Sequence, residues 1–65
     1  MSLGEKLKEL RISNGYSIRE LAQIAGVQYP QIWRYENDQV VPSLKTIKKL
    51  AFALEVDAKE LIRLL

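Results

Sequence analysis

This 65-residue chain has no cysteine and no histidine, and it has only three glycines and two prolines. Without cysteine there are no disulfides and no thiolate chemistry, which fits a reducing compartment. Without histidine the commonest metal ligand and the usual general base are both missing. No phosphate-binding loop and no evident acidic pair take their place, so an enzyme is not expected. Nor is a cofactor, a metal or a small-molecule ligand implied. No apolar run approaches the ~20 residues that a membrane helix needs. A secretory leader is not read either, because acidic and basic side chains interrupt the N-terminus from Glu5 onward. The expected compartment is the cytoplasm.

Hydrophobic residues make up 48% and charged residues 28%, the balance of a globular protein and not of a disordered tail. The length allows one domain, residues 1–65, with one small core; such a chain buries only ~60% of its unfolded surface. Net charge is +2, compatible with nucleic acid but weak evidence alone.

Turn and cap signals divide the chain into five helices. Ser2 and Glu5 have the S-x-x-E spacing of a capping box, so the first helix starts at Leu3. Leu3, Leu7 and Leu10 form its inner face, with Lys6, Lys8 and Glu9 outside; Ile12 falls off this stripe. Asn14-Gly15 ends it. Ser17 and Glu20 repeat the box and open a second helix at Ile18, where Ile18, Leu21, Ala22 and Ala25 recur at i, i+3, i+4 and i+7. Gly26 supplies the freedom for a sharp reversal. Gln28 is a poor N-cap, but Pro30 fits the first turn of a third helix over Tyr29–Glu36, with Ile32 and Tyr35 inward. Asn37–Pro42 reads as a loop. Ser43 caps a fourth helix with the stripe Leu44, Ile47, Leu50, Ala51 and Leu54, and Lys45, Lys48 and Lys49 on its other side. Asp57 and Glu60 form a third box and open a fifth helix. Leu61, Ile62, Leu64 and Leu65 are too many apolar residues for one narrow face, so some are exposed or cover a partner. The fold class is therefore all-α, a compact bundle with no strand signal.

The second and third helices, joined through Gly26, read as a helix-turn-helix whose second member enters the DNA major groove. On that helix Arg34 cannot share the face of Ile32, and its guanidinium suits the O6/N7 edge of guanine; a solvent-facing or phosphate-clamping role is the alternative. Gln28 and Gln31 lie near the helix start and can pair with adenine N6/N7. Tyr29 is placed to touch a thymine methyl group or a phosphate. Trp33 either packs against the loop at Val40-Val41 or lies beside the DNA backbone. Arg19 and Lys45, each near a helix start, are candidate phosphate contacts, while Lys59 and Arg63 read as solvent charges.

The order Ser17-Ile18-Arg19-Glu20-Leu21-Ala22, then Gly26-Val27, then Ile32-Trp33-Arg34-Tyr35-Glu36-Asn37, followed by Pro42-Ser43-Leu44 and Leu50-Ala51-Phe52-Ala53-Leu54, resembles the Cro and lambda-repressor-like, or XRE, helix-turn-helix domains. The resemblance covers nearly the whole chain and implies a five-helix lambda-repressor-like bundle that binds double-stranded DNA. It implies a transcription regulator, a repressor in the first instance, of prokaryotic or phage type and associated with the nucleoid. A homodimer on a two-fold operator is the assembly it implies. It also implies that Arg11 and Glu36 form a structural ion pair, that Gln28, Tyr29, Pro30, Gln31 and Arg34 lie at positions facing the groove, and that Asn37 lies at a phosphate; Ser17, at the start of the second helix, is a further candidate phosphate contact. Three positions depart from the pattern. Ile18 stands where glutamine is usual, leaving backbone N–H groups to meet a phosphate there. Asp38 and Glu55 stand where glycine is usual, and each is expected to hold a left-handed backbone at a cost of ~1 kcal/mol. These departures, with the modest charge and the Leu-rich fifth helix, keep a second reading open: a helix-turn-helix scaffold or interaction module, antitoxin-like or engineered, with little DNA affinity. The Leu64-Leu65 end points to a trimmed domain or to a terminus that docks elsewhere.

Overall fold

The computed structural model describes residues 1–65. Five helices follow one another: α1 Leu3–Ser13, α2 Ile18–Ala25, α3 Tyr29–Glu36, α4 Leu44–Ala53 and α5 Ala58–Ile62. The starts coincide with the cap signals. Ser2 Oγ accepts the Glu5 N–H at 3.1 Å while the Glu5 carboxylate accepts the Ser2 N–H at 2.9 Å. Ser17 and Glu20 do the same at 3.0 and 2.8 Å. Ser43 Oγ accepts the Thr46 N–H at 3.2 Å. The third box expected from the sequence does not form. Asp57 has ψ 134, against 164 and 167 at the two boxed serines, and its carboxylate accepts the Lys59 N–H at 2.9 Å instead of that of Glu60.

Helix α3 lies against α1 and α2, α2 also against α4, α4 against α5, and α5 against α1. The five helices thus close a circuit around Leu21, Ile32, Ile47, Leu50, Leu54 and Leu61, all fully buried. Tyr35 is buried as its face requires, and Ile12, off the stripe, is exposed. Leu44 is not part of the α4 stripe: it is 53% exposed. As the first residue of α4 it overhangs the end of the bundle, and the buried stripe begins one turn later at Ile47. No helix is long and apolar enough to cross a membrane.

The segment between α3 and α4 is tied down by Asp38, at φ 56. Its carboxylate accepts the Gly4 N–H at 3.0 Å and the Ser2 hydroxyl at 2.7 Å. Glu55, after α4, has φ 57. Both left-handed residues thus stand where the sequence departs from glycine.

Candidate nucleic-acid interface

The α2–α3 corner owes its angle to Gly26, which has φ 69 and whose N–H caps the Ala22 carbonyl; Val27 N–H donates to the same oxygen at 3.0 Å. A residue with a Cβ is strained in this left-handed conformation. Past the corner, the Gln28 carbonyl accepts the N–H groups of Gln31 and Ile32 at 3.0 and 3.3 Å, and the Gln28 side chain makes no cap bond. It is left free at the tip.

Helix α3 has two unlike sides. Ile32, Tyr35 and Glu36 are buried. Gln28, Tyr29, Pro30, Trp33 and Arg34 are exposed, and Gln31 is half-buried between the two sides. Arg34 Nη1 reaches Gln31 Oε1 at 3.4 Å, so the two groove candidates lean on one another. Trp33, 43% exposed, lines a shallow notch with Tyr29, Pro30, Arg34 and Gln39. It does not share a hollow with Val40 and Val41, which border a different one with Leu3, Tyr35 and Leu65.

The inner side of α3 is anchored by charge as well as by apolar contact. Arg11 Nε and Nη2 donate to the two Glu36 carboxylate oxygens at 2.7 and 3.0 Å, and Nη1 donates to the Tyr16 carbonyl at 2.9 Å. The side chains are 11% and 3% exposed. A two-pronged contact of this kind fixes orientation as well as distance. It ties the C-terminal end of α3 to the end of α1, while Asp38 ties the same end to the start of α1. Neither Arg11 nor Glu36 is free for DNA.

Of the phosphate candidates, Ser17 has its N–H and its hydroxyl oxygen engaged in the capping box. The N–H groups of Ile18 and Arg19 remain open there. Hydrogen bonds from the Ser17 N–H, and secondarily from its hydroxyl, hold the Glu20 carboxyl below its ordinary pKa, so it stays charged beside this helix start. Asn37 donates from Nδ2 to the Trp33 carbonyl at 2.8 Å, closing α3, and keeps its second amide hydrogen. Lys45 is exposed in the first turn of α4. The ion pairs in the molecule are Lys6–Glu9 and Arg11–Glu36, so Arg19, Arg34 and Lys45 carry charges with no carboxylate partner.

Two relationships near α3 were not readable from spacing. The Arg19 guanidinium lies over the Tyr29 ring, 4.8 Å from its centroid. And Gly4 is buried because the α3 end passes over it: a Cβ there would stand 2.5 Å from the Tyr35 carbonyl and 2.6 Å from that of Glu36. A glycine inside the first turn of α1 was the available signal for such a close approach.

A short helix held by its apolar side across a glycine corner, with an exposed polar and aromatic side, defines a helix-turn-helix domain, here in the five-helix lambda-repressor-like arrangement. The helix-turn-helix family profile matches residues 7–61, and the chain belongs to that family. It is 37% identical over 60 residues to the SPbeta prophage-derived HTH-type transcriptional regulator YonR of Bacillus subtilis, covering 92% of this chain and 56% of YonR. The crystal structure of the restriction-modification controller protein C.AhdI from Aeromonas hydrophila superposes with a TM-score of 0.88 at 37% identity, covering 91% of this chain and 89% of that one. That of SinR, the master regulator for biofilm formation, in complex with DNA gives 0.86 at 34% identity, covering 92% and 97%. The chain spans from about an eighth to just over half of the length of the curated relatives it matches, 13% of one from Thermococcus kodakarensis and 56% of YonR.

Proposed function

We propose that this domain binds double-stranded DNA sequence-specifically and regulates transcription, as a repressor that occupies its operator, with α3 lying in the major groove. The observation that carries this is the division of α3: its inner side is fixed by Ile32, Tyr35 and the Arg11–Glu36 pair, and its outer side offers Gln28, Tyr29 and an Arg34 with no carboxylate partner. The DNA-bound SinR domain follows the same chain path, which supports the reading. In this reading Arg34 meets guanine, Gln28 and Gln31 meet adenine, and Ser17, Arg19, Asn37 and Lys45 meet phosphates on either side.

A single module of this size has a small interface with DNA, so a homodimer on a two-fold operator is part of the proposal. Half-sites would lie ~34 Å apart, one helical turn.

Selection of bound sequences from a random duplex pool tests the reading, with the wild type compared to Arg34→Ala and Gln31→Ala. The expected result is an enriched motif that relaxes at separate base pairs in the two variants, with a loss of ~1–3 kcal/mol at each. No enriched motif, or a motif indifferent to both substitutions, would sink it in favour of the scaffold reading.

A further inference from the structure

The structure assigns Tyr29 a different part from its neighbours on α3: we propose that it is a positioning residue, whose ring holds the Arg19 guanidinium as a rigid fork for a backbone phosphate, and that it reads no base. This rests on the DNA-binding reading above and deepens it.

Arg19, Ala22 and Gln23 stand at i, i+3 and i+4 on α2, and with Val27 and Tyr29 they line one notch across the helix corner. Arg19 spans that notch, with Cζ 4.8 Å from the Tyr29 ring centroid. An arginine over an aromatic face keeps its plane, while its N–H groups point outward from the edge. Here those donors are unspent: Arg19 has no carboxylate partner and makes no side-chain hydrogen bond, and the adjacent Glu20 carboxylate is committed to the Ser17 N–H. A guanidinium that is oriented, exposed and unpaired suits an anion that approaches the edge of its plane, and a phosphate takes such a fork through two parallel N–H···O bonds. The position fits a backbone phosphate and not a base. Arg19 lies in the first turn of α2, the helix behind α3, and Tyr29 is the first residue of α3, so the pair sits where the two helices would straddle the wall of the groove. On its other side, Tyr29 borders the notch of Pro30, Trp33 and Arg34. One face of the ring is occupied by Arg19, which removes that face from contact with DNA.

The arrangement differs from base reading in what it predicts. An exposed contact between arginine and an aromatic face corresponds to a loss of about two- to five-fold in affinity when the ring is removed. The loss should be the same on every duplex, and it should vanish when Arg19 is absent.

The experiment measures duplex affinity for the wild type, Tyr29→Ala, Tyr29→Phe, Arg19→Ala and the double variant Arg19→Ala/Tyr29→Ala. It uses the best selected sequence and a scrambled one, over a range of salt concentrations. Unfolding in urea confirms that each variant is folded. Expected are near-wild-type binding by Tyr29→Phe and a two- to five-fold loss for Tyr29→Ala on both duplexes. Arg19→Ala should lower the salt slope by about one, the release of one phosphate contact. Tyr29→Ala should have no further effect in the Arg19→Ala background, and the motif selected by Tyr29→Ala should be unchanged. A motif that changes at one base pair overturns the proposal. So does a Tyr29→Ala loss of the same size with and without Arg19, or a Tyr29→Phe variant as weak as Tyr29→Ala. A wild type that binds neither duplex overturns the DNA-binding reading itself, and this role with it. In the free protein, the Arg19 side-chain protons should show an upfield ring-current shift that Tyr29→Ala abolishes. Its absence overturns the stack independently of DNA.

Discussion

The Gly4 N–H donates to Oδ1 of Asp38 at 3.0 Å across 34 positions of sequence, and the ring of contacts around this bond leaves no room for a methyl group. Besides the two carbonyls of α3, a Cβ on Gly4 would come within 2.7 Å of the Asp38 carboxylate itself. Gly4→Ala ought to favour α1 locally, since alanine gains ~1 kcal/mol over glycine inside a helix. The tertiary clash outweighs this gain, because the crowding atoms are mostly backbone. We expect a net destabilisation of about 1–3 kcal/mol in urea unfolding. A variant as stable as the wild type would mean that α3 can move off α1 at little cost.

Asp38 and Glu55 have nearly the same backbone, φ 56 and 57, yet glycine should act oppositely at the two positions. Glu55 makes no side-chain hydrogen bond, so Glu55→Gly only relieves strain and should stabilise by roughly 0.5–1 kcal/mol. Asp38 accepts from Gly4 and Ser2, and Asp38→Gly gives up both bonds along with the strain. It should destabilise by roughly 1 kcal/mol on balance. The two variants, compared by urea midpoint, should bracket the wild type. An Asp38→Gly variant more stable than the wild type would show that the two Asp38 bonds contribute less than the backbone strain costs.

The Arg11–Glu36 pair gives the largest expected effect. Arg11→Met leaves a carboxylate that is 3% exposed with no cation, and should cost ~3 kcal/mol. Arg11→Met combined with Glu36→Leu removes both charges and should recover most of that loss, since an apolar pair of similar volume is often as stable as a buried ion pair. A loss below about half a unit for Arg11→Met alone would show that the pair is effectively solvated.

Acid should loosen the helix starts first. Glu5 and Glu20 are held below their ordinary value of 4.5, chiefly by the N–H groups of Ser2 and Ser17 and secondarily by the same hydroxyls. A carboxyl with a folded-state value below its unfolded value contributes stability above the unfolded value and loses it as pH falls through the folded one. Stability should therefore decline on acidification below about 4.5. Replacing both residues, by Glu5→Gln and Glu20→Gln, should flatten that limb of a urea-midpoint profile taken between about pH 6 and pH 3. An unchanged limb would place the acid sensitivity elsewhere.

What could be read in the sequence was what local chemistry decides. Ser2/Glu5, Ser17/Glu20 and Ser43 state their helix starts outright, and Gly26 states its corner, because each acts on neighbours within a few positions. The period of Leu21, Ile32, Ile47 and Leu50 placed them inside. Leu44 had the right period and the wrong place: periodicity assigns a face but does not say where along a helix its neighbour stops. The Asp57 box failed for a related reason, since spacing cannot report the backbone angle of the cap. The Arg11–Glu36 pair entered through the family resemblance, and its geometry came from the structure. The Asp38–Gly4 bond and the Arg19–Tyr29 stack bring together residues from different helices or loops, and no window of sequence contains the angle between them. For the site, the outer face of α3 was legible; the division of labour within it was not.

Apart from Asp38, the groups that hold the C-terminal end of α3 against α1 are Ser2, Gly4, Arg11 and Tyr16, and these four precede it in the chain. On the ribosome, each has therefore left the exit tunnel before the helix it will orient. Of the supports of the part proposed to meet DNA, only Asp38 is still to be made when α3 is complete, and α4 and α5, synthesised after it, close the circuit from the other side.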